Sequence, residues 1–203
     1  MYERWILPYL LDGACGIRAI RRQRQKIVPL AQGRVLEIGI GTGLNLEHYQ
    51  HHRVHSLHGL DPSVSMHRLA RKRMREAGLD VTLVPLSAES IPEPDHSFDT
   101  VVCTYTLCTI PDPIAALLEM RRVLKPDGRL LFCEHGHAPD HGIATWQRRL
   151  NPVWKPIAGG CHLDRRIPEL LEQGAFRVEA LDQMYLPGPR VLTYNYWGVA
   201  RPA

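Results

Sequence analysis

The stretch Val35-Leu36-Glu37-Ile38-Gly39-Ile40-Gly41-Thr42-Gly43-Leu44 constrains this chain more than any other. Val35, Leu36 and Ile38 suit a parallel strand covered on both faces. Gly39, Gly41 and Gly43 then let the backbone turn sharply and come close to a ligand that side chains would hold off. The segment from Leu44 to Gln50 is predicted to open the first covering helix, with its free N–H groups aimed at that ligand. Val54 to Leu60 reads as the second strand, and Asp61 ends it, 22 residues after Gly39. A carboxylate at that place accepts hydrogen bonds from two ribose hydroxyls. The implied ligand is a nucleoside cofactor lying across the ends of the first two strands.

A dinucleotide fingerprint would want its third glycine at position 44, which is Leu44, so a nicotinamide dehydrogenase fits poorly. The spacing G-x-G-x-G, with Glu37 two residues ahead of it, resembles motif I of the class I S-adenosylmethionine-dependent methyltransferases. Two later segments resemble the type-11 methyltransferases: Ile91-Pro92 through Ser97-Phe98-Asp99 into Val101, and the turn Leu124-Lys125-Pro126-Asp127-Gly128. Trp146, Leu150, Pro152 and Trp154, then Gly160-Cys161-His162-Leu163-Asp164-Arg165, are similar to the subgroup that includes membrane-associated thiol methyltransferases. Their long apolar anchor has no counterpart in residues 1–30.

The resemblance implies S-adenosylmethionine as cofactor and S-adenosylhomocysteine as product. It carries the cofactor contacts onto Glu37, Gly39, Gly41, Gly43 and Asp61. The turn after the third strand usually reads Asp-Ala-Glu in the family. Here it is Ser87-Ala88-Glu89, so the adenine contact falls to Ser87, to Ala88 backbone or to Glu89. Cys103, in the fourth strand, completes the expected cofactor set. The fold implied is a Rossmann-like α/β sheet of seven strands in the order 3-2-1-4-5-7-6. Strand 7 is antiparallel, and helices cover both faces.

Residues 1–30 are predicted to be a helical lid broken near Gly13 and Gly16, residues 31–136 the cofactor-binding core, residues 137–165 a substrate-side insertion, and residues 166–203 the last helix and terminal hairpin. All belong to one domain. Tyr2, Trp5 and Tyr9 of the lid, with Tyr105 and Trp146, are the expected walls of the substrate pocket. The Trp, Leu and Pro content of lid and insertion points to a small apolar or amphipathic acceptor, a thiol first. Methyl transfer to such a group needs alignment and exclusion of water more than a dedicated base. His135, His162 and Asp164 are the candidates should a base be used.

Five cysteines, Cys15, Cys103, Cys108, Cys133 and Cys161, are spread too widely for a disulfide frame or a CxxC pair. No metal is expected, although His135, His137 and His141 fall close together. The net charge of +4 gathers in Arg18, Arg21, Arg22, Arg24 and Lys26, and in Arg68, Arg71, Lys72, Arg73 and Arg75. Both groups read as solvated helix faces. They leave open methylation of nucleic acid or lipid head groups, as does the reading of a non-catalytic binding module. Nucleic acid is disfavoured because no aromatics are interleaved with the cations. No run approaches the length of a membrane span, and Met1 to Trp5 lacks the basic-then-apolar order of a secretory leader. The expected compartment is the cytoplasm, and oligomeric state is left open.

Overall fold

The computed structural model describes residues 5–203. The expected pocket residue Tyr2 lies outside them. One sheet runs β3-β2-β1-β4-β5-β7-β6. Its strands are β1 (Gly33–Ile38), β2 (Val54–Leu60), β3 (Val81–Val84), β4 (Phe98–Thr104), β5 (Leu124–His135), β6 (Phe176–Tyr185) and β7 (Tyr194–Pro202). Strands β1 to β5 pair in parallel, and β7 is antiparallel to both β5 and β6. The expected order and the antiparallel β7 are therefore found.

The helices are α1 (Leu7–Cys15), α2 (Arg18–Ile27), α3 (Val64–Ala77), α4 (Pro113–Val123), α5 (His141–Ile157), α6 (Ile167–Gln173) and the single turn α7 (Arg190–Thr193). The lid breaks at Gly16 and Ile17, as Gly16 predicts, whereas Gly13 lies inside α1. Gly78 ends α3 in a left-handed conformation. Asp112 caps α4 by accepting from the backbone N–H of Ile114 and Ala115, with Pro113 in the first turn. Two apolar clusters sandwich the sheet. One packs Phe98, Phe132, Leu117 and Met120 on the α4 and α6 side, and the other packs Val35, Leu57, Val102 and Leu131 beneath α2 and α3. No helix among the described residues is long and apolar enough to cross a membrane.

One expectation fails. The helix predicted after the glycine loop is only a 3-10 turn, Leu46–His48. This segment turns Asn45 and Tyr49 inward onto the Glu37 carboxylate, and that pulls the backbone out of a regular helix. Conversely, the insertion holds the 17-residue helix α5, with Pro152 and Pro156 inside it. Each proline removes one intrahelical bond. Side-chain bonds on the same helix help to offset that loss. Gln147 and Asn151 of α5 bond the neighbouring loops at Ala138, Gly136 and Leu163.

Strands β6 and β7 approach so closely that a Cβ on Gly198 would stand 2.0 Å from the Ala180 carbonyl and 2.9 Å from the Phe132 ring. Gly198→Ala is expected to destabilise the protein by about 1–3 kcal/mol. Gly142→Ala, where a Cβ meets nothing within 4 Å, is expected to add about 0.5–1 kcal/mol. Thermal melts of the two variants check the contrast.

Candidate active site

A cleft of about 900 Å³ opens where β1, β2 and β4 end, bounded by α1, α2 and the loops after β3, β4, β6 and α5. Its floor is the glycine loop, whose three glycines do two things. A Cβ on Gly39 would strike the Thr106 side chain at 2.3 Å, and one on Gly43 would meet Leu46 at 2.8 Å and Ala70 at 3.2 Å. Those two serve close packing of the protein on itself. Gly41, at φ +53°, has only Gly39 O and Asp61 within 4 Å, so its missing Cβ leaves room in the cleft. Asp61 ties this loop to the end of β2. One carboxylate oxygen accepts from Gly41 N at 2.9 Å and the other from Ser63 N at 2.8 Å. Burial pushes the Asp61 carboxyl up, against those two bonds. Each oxygen keeps lone pairs for a further donor.

Glu37 lies behind the loop rather than in the cleft. It is 1% exposed and accepts from Asn45 at 3.0 Å and from the Tyr49 hydroxyl at 2.8 Å. Burial raises it to about 7, and those bonds with the nearby Arg24 charge moderate the rise. Arg24 is the residue that sequence reasoning misplaced. Grouped with a solvated basic face, it is 6% exposed and lines the cleft from α2. Its guanidinium donates to Asn45 at 2.8 Å and to Thr104 at 2.5 Å and stacks 5.0 Å from the Tyr105 ring. Its Nε has no partner among the described residues. Arg73 of the second basic group also turns inward. It bonds Asp12 at 2.7 Å and Thr42 O at 2.8 Å, and Thr42 donates to Asp12 at 2.6 Å, so α1 is pinned to the glycine loop.

The lid therefore covers the cleft, but with other residues than its aromatics. Leu7, Leu11 and Cys15 line the cleft, whereas Trp5 and Tyr9 are about half exposed and face the start of α3. Helix α1 turns its aliphatic side to the protein, and its Tyr9 hydroxyl accepts from Arg68. Trp146 is likewise on an exposed stripe of α5 with Leu150, Val153 and Ile157, and Trp154 takes the cleft position instead.

Beyond β4 the chain turns at Tyr105, which holds φ +52° and donates its hydroxyl to Asn195 at 2.6 Å. The turn is fixed from both sides. Glu134, fully buried at the end of β5, accepts from Thr106 N at 2.8 Å and Leu107 N at 3.1 Å. Arg165 donates to the carbonyls of Leu107 and Ile110. Between these clamps Cys108 faces the cleft, beside His135 and Cys161. His135 Nε2 stands 3.1 Å from Cys161 Sγ, and the donor atoms of all three residues lie within 4.8 Å of one another. The Cys108 thiol beside it and the His135 ring hold Cys161 well below the usual thiol range despite burial, while Cys108 is pushed well above it.

Of the other expected site residues, Tyr105, Ser87 and Ala88 line the cleft. Glu89 does not; it bonds Ser87 and accepts from Asp112 N at 3.2 Å. Cys103 is buried in β4 with its thiol 3.6 Å from Glu134, because alternation along the strand turns it to the core. His162 and Asp164 also miss the cleft. His162 N donates to Cys108 O at 2.8 Å, and Asp164 accepts from Asn151 at 2.5 Å, so both hold the loop that presents Cys161.

A model of the family described as "Methyltransferase domain" matches residues 36–132. The thiol S-methyltransferase TMT1B of Rattus norvegicus is 34% identical over 168 residues, 78% of this chain and 68% of that one. A phosphatidylethanolamine N-methyltransferase of Cereibacter sphaeroides is 35% identical over 136 residues, 66% of each chain. Among solved structures, an SAM-dependent methyltransferase from Leishmania major superposes with a TM-score of 0.71 at 16% identity, over 98% of this chain and 80% of that one.

The raised Glu37 carboxyl has a measurable consequence. Its folded value near 7 exceeds the ordinary 4.5, so the folded state holds the extra proton between those values. Stability of the ligand-free protein therefore falls as pH rises through that window and stays low above it. Glu37→Gln is expected to reduce the loss between about pH 5 and about pH 8 by on the order of 2 kcal/mol. Denaturant melts of both proteins at each pH check this; equal losses would contradict it.

Proposed function

Because the chain belongs to the S-adenosylmethionine-dependent methyltransferase family, we propose that it methylates a small apolar thiol. The observation that carries this reading is the make-up of the cleft's lining. Among the described residues that line it, the one acid is Asp61, at the ribose end, and the one imidazole is His135, which faces Cys161. The far end is walled by Trp154, Leu163, Leu186 and Leu192. A hydroxyl or carbon acceptor needs a base there, whereas a thiol ionises near neutral pH with little help. Similarity to the rat thiol S-methyltransferase supports the same acceptor class.

The residues of the cleft fit the cofactor. Gly41 leaves a space that a Cβ would fill, and Asp61 keeps lone pairs for ribose hydroxyls. The buried Nε of Arg24, without a partner among the described residues, suits the carboxylate of the methionine portion. Ser87 and Ala88 suit the adenine edge. When bound, S-adenosylmethionine supplies a methyl group already activated by the sulfonium charge. The chain's own contribution is positional. Arg24 and Asp61 hold the methionine carboxylate and the ribose, α1 and Trp154 exclude water, and the Glu134 and Arg165 clamps fix the loop bordering the acceptor.

The acceptor is tested by incubating the protein with methyl-labelled cofactor and, separately, an alkyl thiol, a phenol, a primary amine and phosphatidylethanolamine vesicles. Label is expected in the thioether. Label in the amine or lipid with none in the thiol would overturn the reading. Gly41→Ala is expected to weaken S-adenosylhomocysteine binding at least about tenfold while costing only about 1–2 kcal/mol of stability for its left-handed backbone. Calorimetric titration beside a thermal melt checks both figures, and unchanged affinity would contradict the assignment of that space.

A further inference from the structure

We propose that Cys108, His135 and Cys161 form a three-ligand site for a soft divalent cation, zinc first, with its open position facing the acceptor end of the cleft. The three residues come from three separate segments: the loop after β4, the last residue of β5 and the loop after α5. The two Sγ atoms and a ring nitrogen of His135 lie within 4.8 Å of one another, and His135 Nε2 is 3.1 Å from Cys161 Sγ. A tetrahedral zinc with ordinary Zn–S and Zn–N bonds sets its sulfurs about 3.8 Å apart and sulfur and nitrogen about 3.5 Å apart. The trio reaches that geometry by small side-chain movements.

Each ligand is held from behind. Cys108 lies between the Glu134 and Arg165 clamps, and its carbonyl accepts from His162 N at 2.8 Å. His135 is registered against Asn195 in the β5–β7 ladder. The Cys161 loop is fixed by Asn151, which bonds Leu163 N at 2.8 Å and Asp164 at 2.5 Å. Two thiolates and a neutral imidazole also cancel the charge of a divalent ion, which a largely desolvated place requires. Sulfur and imidazole donors select zinc over calcium or magnesium. Three protein ligands with a fourth position open to a cleft are the pattern of a reactive site rather than a structural one.

The use of that fourth position rests on the thiol reading above. An acceptor thiol that binds there gives its proton to solvent and is held as thiolate. Its sulfur then takes the methyl carbon as the carbon–sulfonium bond breaks. The electron pair of that bond stays on the departing sulfur, and the thioether, a poor ligand, leaves.

The test uses the whole protein, stripped with chelator and kept reduced, titrated with Zn²⁺ against a chromophoric competitor and with Co²⁺ as a spectroscopic stand-in. One Zn²⁺ per chain at submicromolar Kd is expected, with tetrahedral cobalt absorption and thiolate-to-cobalt charge transfer. Cys108→Ser and Cys161→Ser are each expected to weaken binding at least a hundredfold while S-adenosylhomocysteine still binds, which shows that the fold survives. Adding an alkyl thiol is expected to shift the cobalt spectrum. Weaker than micromolar binding, or binding indifferent to both substitutions, would overturn the site. Thiol methylation by the stripped protein at the rate of the zinc-loaded protein would overturn its role and leave the thiol reading standing. Stoichiometric zinc binding without thiol methylation would support the site while removing the thiol reading.

Discussion

The ligand end of this sheet depends on one buried carboxylate. Glu37 takes Asn45 and Tyr49 onto its two oxygens, and Asn45 in turn accepts from Arg24 and donates to Thr104 at 3.0 Å. A single network thus joins β1, the segment after the glycine loop, α2 and β4. Such a network is valuable only when nearly every member is satisfied, since a stranded buried charge costs far more than the network returns. Here the leftover donor is the Nε of Arg24, and it lies on a residue lining the cleft. The same arrangement explains why no helix follows the glycine loop, because the residues that would have formed it are turned back to Glu37.

A second pair of groups, the buried Glu134 and the half-buried Arg165, does at β4 and β5 what Glu37 does at β1. Glu134 and Arg165 take up the N–H groups and carbonyls of the turn that begins at Tyr105. That turn carries a bulky residue at positive φ, an unfavourable conformation that persists only where its surroundings over-determine it. The outcome is a fixed Cys108 beside the end of β5. The two sides of the cleft are therefore built differently. The first is shaped by glycines and one acid, and the second by two clamps on a loop.

Much of this was legible along the chain. Strands announced themselves by apolar runs and bounding turns, so β2, β3 and α3 fall where Val54–Leu60, Val81–Val84 and Val64–Ala77 suggest. Asp61 and the glycines sit on loops at the ends of neighbouring strands, and their meeting there follows from local spacing. What stayed hidden depends on which way a side chain faces. Trp5, Tyr9 and Trp146 are aromatic and so looked like pocket walls, but Tyr9 and Trp146 lie on the outward sides of α1 and α5, and Trp5, ahead of α1, is about half exposed. Arg24 looked like one more solvated cation. Arg21, one turn away on the same helix, faces out to Glu47 at 2.6 Å, so helical spacing alone does not tell the two apart. The trio of Cys108, His135 and Cys161 has no sequence signature because 53 positions separate its ends. Only the register of β4 beside β5, and the return of the chain through α5, brings the three together.

The fold supports many reactions on one cofactor cleft, so the direction in which the cofactor lies decides how the cleft is to be read. The most direct measurement is a crystal structure with S-adenosylhomocysteine. The expected density places adenine against Ser87 and Ala88, the ribose on Asp61, the carboxylate at Arg24, and the thioether sulfur toward Cys108 and His135. Adenine packed against Cys108, His135 and Cys161, with the amino acid portion at Ser87, would contradict it.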